Sequence, residues 1–142
     1  MANLERSMKF YGKTLGLELA YELPERNVAF YWIGGRGKSM LGLWETGSGP
    51  QRMSLHLAFS VELSDLLRAP DLLRKAGIEP RDLGGRPANE PVVLAWMPAA
   101  AIYFQDPDGH QIEFLCMLPD SPRPDLNIVS WSEWQSLSSG KN

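Results

Sequence analysis

Ile102-Tyr103-Phe104-Gln105-Asp106-Pro107-Asp108-Gly109-His110-Gln111-Ile112-Glu113 is the stretch that decides how this chain is read. Asp-Pro-Asp-Gly is a strong turn signal. Proline presets φ, the aspartates bond their own backbone, and glycine accepts a positive φ. The flanks, 100–105 and 111–117, are rich in β-branched and aromatic residues and read as the two strands of a hairpin. Period-two alternation puts Glu113 on one face with Gln111 and Leu115, and Ile112, Phe114 and Cys116 on the other. A carboxylate on an otherwise apolar strand is costly to bury alone. Glu113 therefore calls for a metal, a cation or a wet cavity beside it. Tyr103, on the neighbouring strand, either fills the core or offers a hydroxyl that orients a ligand or donates a proton. Cys116 reads as a small buried hydrophobe and His110 as a solvated turn histidine.

Working outward, residues 54–61 alternate cleanly. Leu55, Leu57, Phe59 and Val61 share one face, and His56 lies on the less apolar one. Residues 66–76 follow as a helix capped by Ser64, kinked or started anew at Pro70 and ended by Gly77. Segments 78–82 and 92–96 are further strand candidates, separated by the polar loop 83–91. Nearer the start, Leu4, Met8, Tyr11 and Leu15 form one face of an amphipathic helix that Asn3 caps and Gly16 ends. Strands are expected at 17–22, 28–33 and 39–45, before a linker at 46–51. Three prolines in 119–124 exclude regular structure there. Ser130-Trp131-Ser132-Glu133 fits a capping box for a short final helix, with Trp131 and Trp134 as packing anchors.

The two halves resemble each other. Leu15-Gly16-Leu17-Glu18 matches Ala76-Gly77-Ile78-Glu79, and each time a helix ends on glycine and enters three strands. The second copy has a strand before its helix, at 54–61. The same offset places its counterpart ahead of Met1, so the first copy is expected to lack its opening strand. The expected layout is a truncated αβββ module over 1–46, a linker over 47–52, a βαβββ module over 53–118, and a Pro-rich tail with a short helix over 119–142.

Composition narrows the function. The chain has 142 residues and a formal net charge of −3, enough for one domain or two small halves. A single cysteine excludes an internal disulfide and any Cys-only metal site, and two histidines exclude a His-rich one. A pI near 5.4 argues against a nucleic-acid face. No apolar run approaches the roughly 20 residues of a membrane helix. The expectation is a soluble cytoplasmic protein acting on a small molecule, with neither nucleic acid nor membrane as partner.

Three segments carry a family resemblance. Asn3-Leu4-Glu5-Arg6-Ser7 with Phe10-Tyr11 and Leu15-Gly16-Leu17 is similar to the first helix of the vicinal oxygen chelate superfamily. That group holds glyoxalase I, bleomycin and fosfomycin resistance proteins and extradiol dioxygenases. His56-Leu57-Ala58-Phe59-Ser60-Val61 resembles its fifth strand, and the 102–113 block resembles its closing hairpin. The resemblance implies an α+β fold of tandem βαβββ modules, a mixed sheet cupped around a cavity, and a homodimer. It implies a divalent metal, Zn²⁺, Ni²⁺, Mn²⁺ or Fe²⁺, for which His56 and Glu113 are the expected ligands. From the residues themselves, Tyr103 reads as an auxiliary donor or a core residue, and Met40, Trp44 and Trp96, with Tyr103, as the lining of a substrate pocket or as plain core. The first module departs from the pattern. Gly42 falls where the glyoxalase carboxylate would align, and Glu45 should face away. Arg36, Arg81 and Arg86 read as solvated loop arginines or as anchors for an anionic substrate.

The implied activity is a metal-dependent lyase or transferase acting on vicinal oxygens. A metal-free antibiotic-type binding protein using Trp44, Trp96 and Tyr103 is the alternative. An Fe²⁺ extradiol dioxygenase is a third.

Overall fold

The computed structural model describes residues 1–46 and 54–139. It is an α+β protein with two separate sheets and two compact units. One unit holds the described residues from Met1 to Ser54 together with Asp106–His110. The other holds Leu55–Gln105 and the described residues from Gln111 onward. The linker expected at 47–52 lies outside the described residues.

In the first unit, helix α1 (Leu4–Met8) continues as a π-helical turn (Lys9–Thr14), followed by β1 (Leu19–Leu23), β2 (Val28–Ile33) and β3 (Ser39–Trp44). The strands form an antiparallel sheet in the order β1-β2-β3. Asn3 caps the helix as expected, its side chain accepting from Arg6 N at 2.8 Å. The widening after Met8 was not expected, because apolar positions four residues apart cannot distinguish an α turn from a π turn. It occurs where the Tyr31 hydroxyl of β2 donates to the Met8 carbonyl at 3.3 Å. Buried Leu4, Phe10, Tyr11, Val28, Ala29, Tyr31 and Leu43 form this unit's core.

The second unit runs β4 (His56–Ser60), α2 (Leu63–Lys75), β5 (Val92–Leu94), β6 (Ala99–Gln105), β7 (Gln111–Met117), β8 (Ile128–Ser130) and α3 (Trp131–Ser139). Its sheet order is β4-β7-β6-β5-β8, with β4 parallel to β7 and the other pairs antiparallel. Paired residues project to the same face. One face therefore carries Leu57, Phe59, Ile112, Phe114, Ile102 and Phe104, where Phe104 and Phe114 meet edge-on at 4.9 Å. The buried stripe of α2 is Leu66, Ala69, Pro70 and Leu73, one face at helical spacing.

Three local expectations need correction. Helix α2 starts at Leu63, three residues early, with Glu62 rather than Ser64 at its N-cap. Pro70 sits inside the helix on its buried face and does not start a new one. The candidate strand at 78–82 is no strand; only Arg81 makes bridges there, to Pro87 and Tyr103. Its backbone turns away because the Asp82 carboxylate takes Arg86 N and Nε, closing a tight loop. The repeat signature has a physical basis. Gly16 and Gly77 both adopt left-handed φ, +73° and +76°. At the second, Gly77 N bonds Arg74 O and Ile78 N bonds Leu73 O, a Schellman closure.

The tail yields one more strand than expected, β8, pairing with β5. Ser130 Oγ caps α3 by accepting from Glu133 N at 3.2 Å. Glu90 supplies the rest of the cap, accepting from Ser132 N and Oγ. Among the described residues, no helix is long and apolar enough to cross a membrane.

Candidate metal centre

The face of the second sheet opposite the Phe104–Phe114 pair gathers the chemistry. Register places Ala58 of β4 and Tyr103 of β6 beside Glu113 of β7, and His56 two residues before Ala58. His56, Tyr103 and Glu113 thus leave three adjacent strands on one side. His56 Nε2 lies 2.8 Å from Glu113 Oε2, and the Tyr103 hydroxyl donates to Glu113 Oε1 at 2.9 Å. The Glu113 side chain is 8% exposed and that of His56 47%. The carboxylate is therefore nearly dry, with an imidazole reaching it from the wet side. Burial, reinforced by the Glu113 charge, pushes the Tyr103 phenol well above its ordinary pKa. The phenol stays protonated and keeps donating across the working pH range.

Met40 and Trp44 are exposed on β3, with Trp44 edge-on to Phe30 at 6.1 Å. Trp96 is exposed in the turn after β5. A Cβ at Gly42 would lie 3.1 Å from the Trp44 indole nitrogen and 3.2 Å from the Phe30 ring. A larger side chain there would have to displace these two rings. Glu45 accepts from Leu4 N at 2.7 Å and is committed to the helix N-terminus.

Two further expectations change, and the loop arginines are placed. His110 is buried, not solvated, because its amide donates to Asp106 Oδ1 and draws the turn inward. Cys116 is half-exposed rather than buried. Of the three loop arginines, Arg36 pairs with Glu18 and Arg86 with Asp82, whereas Arg81 donates to the Gly85 carbonyl.

A second group went unseen in the sequence. Asp106, Asp108 and His110 offer ligand atoms within 4.8 Å of one another. Their carboxylates are already engaged. Asp106 Oδ2 accepts from the Tyr11 hydroxyl, and Asp108 pairs with Arg6 at 2.6 Å. His56 and Glu113 thus place an imidazole and a carboxylate together on one face of the mixed sheet.

Residues 1–114 match the Glyoxalase/Bleomycin resistance protein/Dioxygenase superfamily, and the chain belongs to that family. An integron cassette protein from the mobile metagenome of the Halifax Harbour sewage outfall is 32% identical. The match covers 82% of this chain and 91% of that one, with a TM-score of 0.70. A glyoxalase/bleomycin resistance protein/dioxygenase from Nocardioides is 27% identical over 86% of this chain and 81% of its own, TM-score 0.58. The fosfomycin resistance protein FosX from Mesorhizobium loti, at 20% identity over 84% and 86%, TM-score 0.57, shares the fold.

Proposed function

We propose that the protein is a divalent-metal-dependent enzyme, a lyase or transferase acting on a small molecule with vicinal oxygens. The supporting observation is the approach of His56 Nε2 to Glu113 Oε2. At 2.8 Å the imidazole nitrogen and the carboxylate oxygen are hydrogen-bonded to each other and close enough that both could serve one ion. An imidazole and a carboxylate suit Zn²⁺, Ni²⁺, Mn²⁺ or Fe²⁺. Such an ion, when bound, supplies Lewis-acid polarisation of the substrate's adjacent oxygens. Tyr103 is a positioning residue: its hydrogen bond holds Oε1, so that Oε2, beside His56, would be the oxygen to hold an ion. Its raised pKa makes it a donor and excludes it as a base near neutrality. Neither Gly42 nor Glu45 offers a carboxylate base, so lactoylglutathione lyase chemistry is set aside.

The test is metal content after dialysis against an equimolar mixture of the four ions. The wild type should retain one ion per chain, and His56→Ala and Glu113→Gln should each lose it. Tyr103→Phe should keep the ion with affinity reduced about 10- to 100-fold, the usual effect of losing an outer-shell partner. A wild type that retains no ion, or both ligand variants retaining it, would overturn the reading. Ion-free protein whose Trp44 and Trp96 fluorescence is quenched by an aromatic ligand would put the metal-free binding protein in its place.

A further inference from the structure

We infer that Arg81 is the anion-recognition residue of this same site, so the substrate carries an oxyanion group, a carboxylate, phosphate or phosphonate, beyond its ion-binding oxygens. The inference rests on the metal-site reading for the identity of the site, but not for the behaviour of Arg81. Arg81 and Tyr103 exchange two backbone hydrogen bonds, Arg81 N to Tyr103 O at 2.7 Å and Tyr103 N to Arg81 O at 3.0 Å. A residue pair bonded in this antiparallel manner sends both side chains to one face. Arg81 thus extends the row Glu113, Tyr103 on the free edge of β6, where β5 has already ended. With strands about 4.8 Å apart, its Cα lies roughly 10 Å from that of Glu113.

The second observation is the state of the guanidinium. Among the described residues, Arg6, Arg36, Arg68, Arg74, Arg86 and Arg123 each face a carboxylate within the ion-pair range. Arg26 and Arg81 face none, and of these two Arg26 is exposed while Arg81 is half-buried. Its Nη1 donates to the Gly85 carbonyl at 2.7 Å, which holds the side chain in place without neutralising it. Asp82, next in sequence, is occupied by Arg86 on two bonds. A fixed, uncompensated guanidinium presents a planar fork of donors that matches an oxyanion bidentately. Its distance from Glu113 leaves room for a ligand of a few atoms whose chelating end meets the ion and whose charged end meets Arg81.

Two measurements test this. In EDTA, inorganic phosphate is titrated while the backbone amide resonances of Arg81 and Tyr103 are followed. Saturable shifts are expected in the wild type, with affinity at least tenfold weaker in Arg81→Gln and intermediate in Arg81→Lys, which keeps the charge but not the fork. Absence of saturable shifts, or equal affinity in wild type and Arg81→Gln, would overturn the assignment, provided the variant retains the native amide spectrum elsewhere. In ion-loaded protein, phosphonoacetohydroxamate should bind at least tenfold tighter than acetohydroxamate, and Arg81→Gln should erase that preference while leaving metal content unchanged. A preference that survives Arg81→Gln also overturns it. If the chain takes up no ion, the metal reading fails while the phosphate titration still judges Arg81. If ions bind normally but phosphate affinity ignores residue 81, only the Arg81 assignment falls.

Discussion

Asp106→Ala is expected to lower the free energy of unfolding by about 3–5 kcal/mol, the combined loss of three hydrogen bonds to one carboxylate. Oδ1 accepts from the amides of Asp108 at 2.9 Å and His110 at 2.8 Å, and Oδ2 accepts from the Tyr11 hydroxyl at 3.0 Å. The residue is 5% exposed and Tyr11 is fully buried, so water cannot replace the missing acceptor. Each hydrogen bond to a charged group contributes about 1.5–3 kcal/mol, and the three are not additive because the turn relaxes once freed. Burial, and then the charge of Asp106, raises the Tyr11 pKa, so the phenol remains a neutral donor at every pH where the protein is handled. Tyr11→Phe removes one of the three bonds and should cost about 1–2 kcal/mol. Asp106→Asn keeps the acceptor for the two amides and should fall between. Urea midpoints at unchanged slope read these differences. An Asp106→Ala variant within 0.5 kcal/mol of wild type would show that the turn is not held by its first aspartate.

The same aspartate shows what the sequence could and could not reveal. That residues 106–109 turn is a local property of proline, aspartate and glycine, and local chemistry is legible. That Asp106 meets Tyr11 depends on a contact 95 positions away, which no local pattern announces. Strands β2, β3, β6 and β7 were readable because alternation and β-branched residues speak for each separately. β8 has three residues and no alternation of its own; it exists because β5 offers an edge. His56 and Glu113 were singled out together on resemblance and on the cost of a buried carboxylate, and the structure brings them together. Arg81 could not be ranked above Arg36 or Arg86, because its distinction is a backbone bridge to Tyr103 and the lack of an acidic neighbour. A signal did exist: Asp82 four residues before Arg86 satisfies that arginine locally and leaves Arg81 without an equivalent partner.

Replacing Glu113 by Leu together with Tyr103 by Phe should make the ion-free protein more stable by about 1–2 kcal/mol and abolish ion uptake. The buried end of the pair pays a desolvation cost that an imidazole half in water only partly returns. Phenylalanine is required alongside leucine because the Tyr103 hydroxyl would otherwise be left without its acceptor. His56 loses nothing it cannot recover from solvent. Leucine is close to glutamate in volume, and Leu115 and Ala101 already make the same face partly apolar. With an ion at 100 times its Kd, the wild type gains about 2.7 kcal/mol that the double variant cannot. The order of stabilities should therefore reverse between EDTA and the ion-containing buffer. Urea denaturation in the two buffers measures both differences on the same samples. A double variant less stable than wild type in EDTA would mean that the carboxylate is there to hold the sheet together. The reversal would mean that the carboxylate is kept against a stability cost that binding an ion offsets.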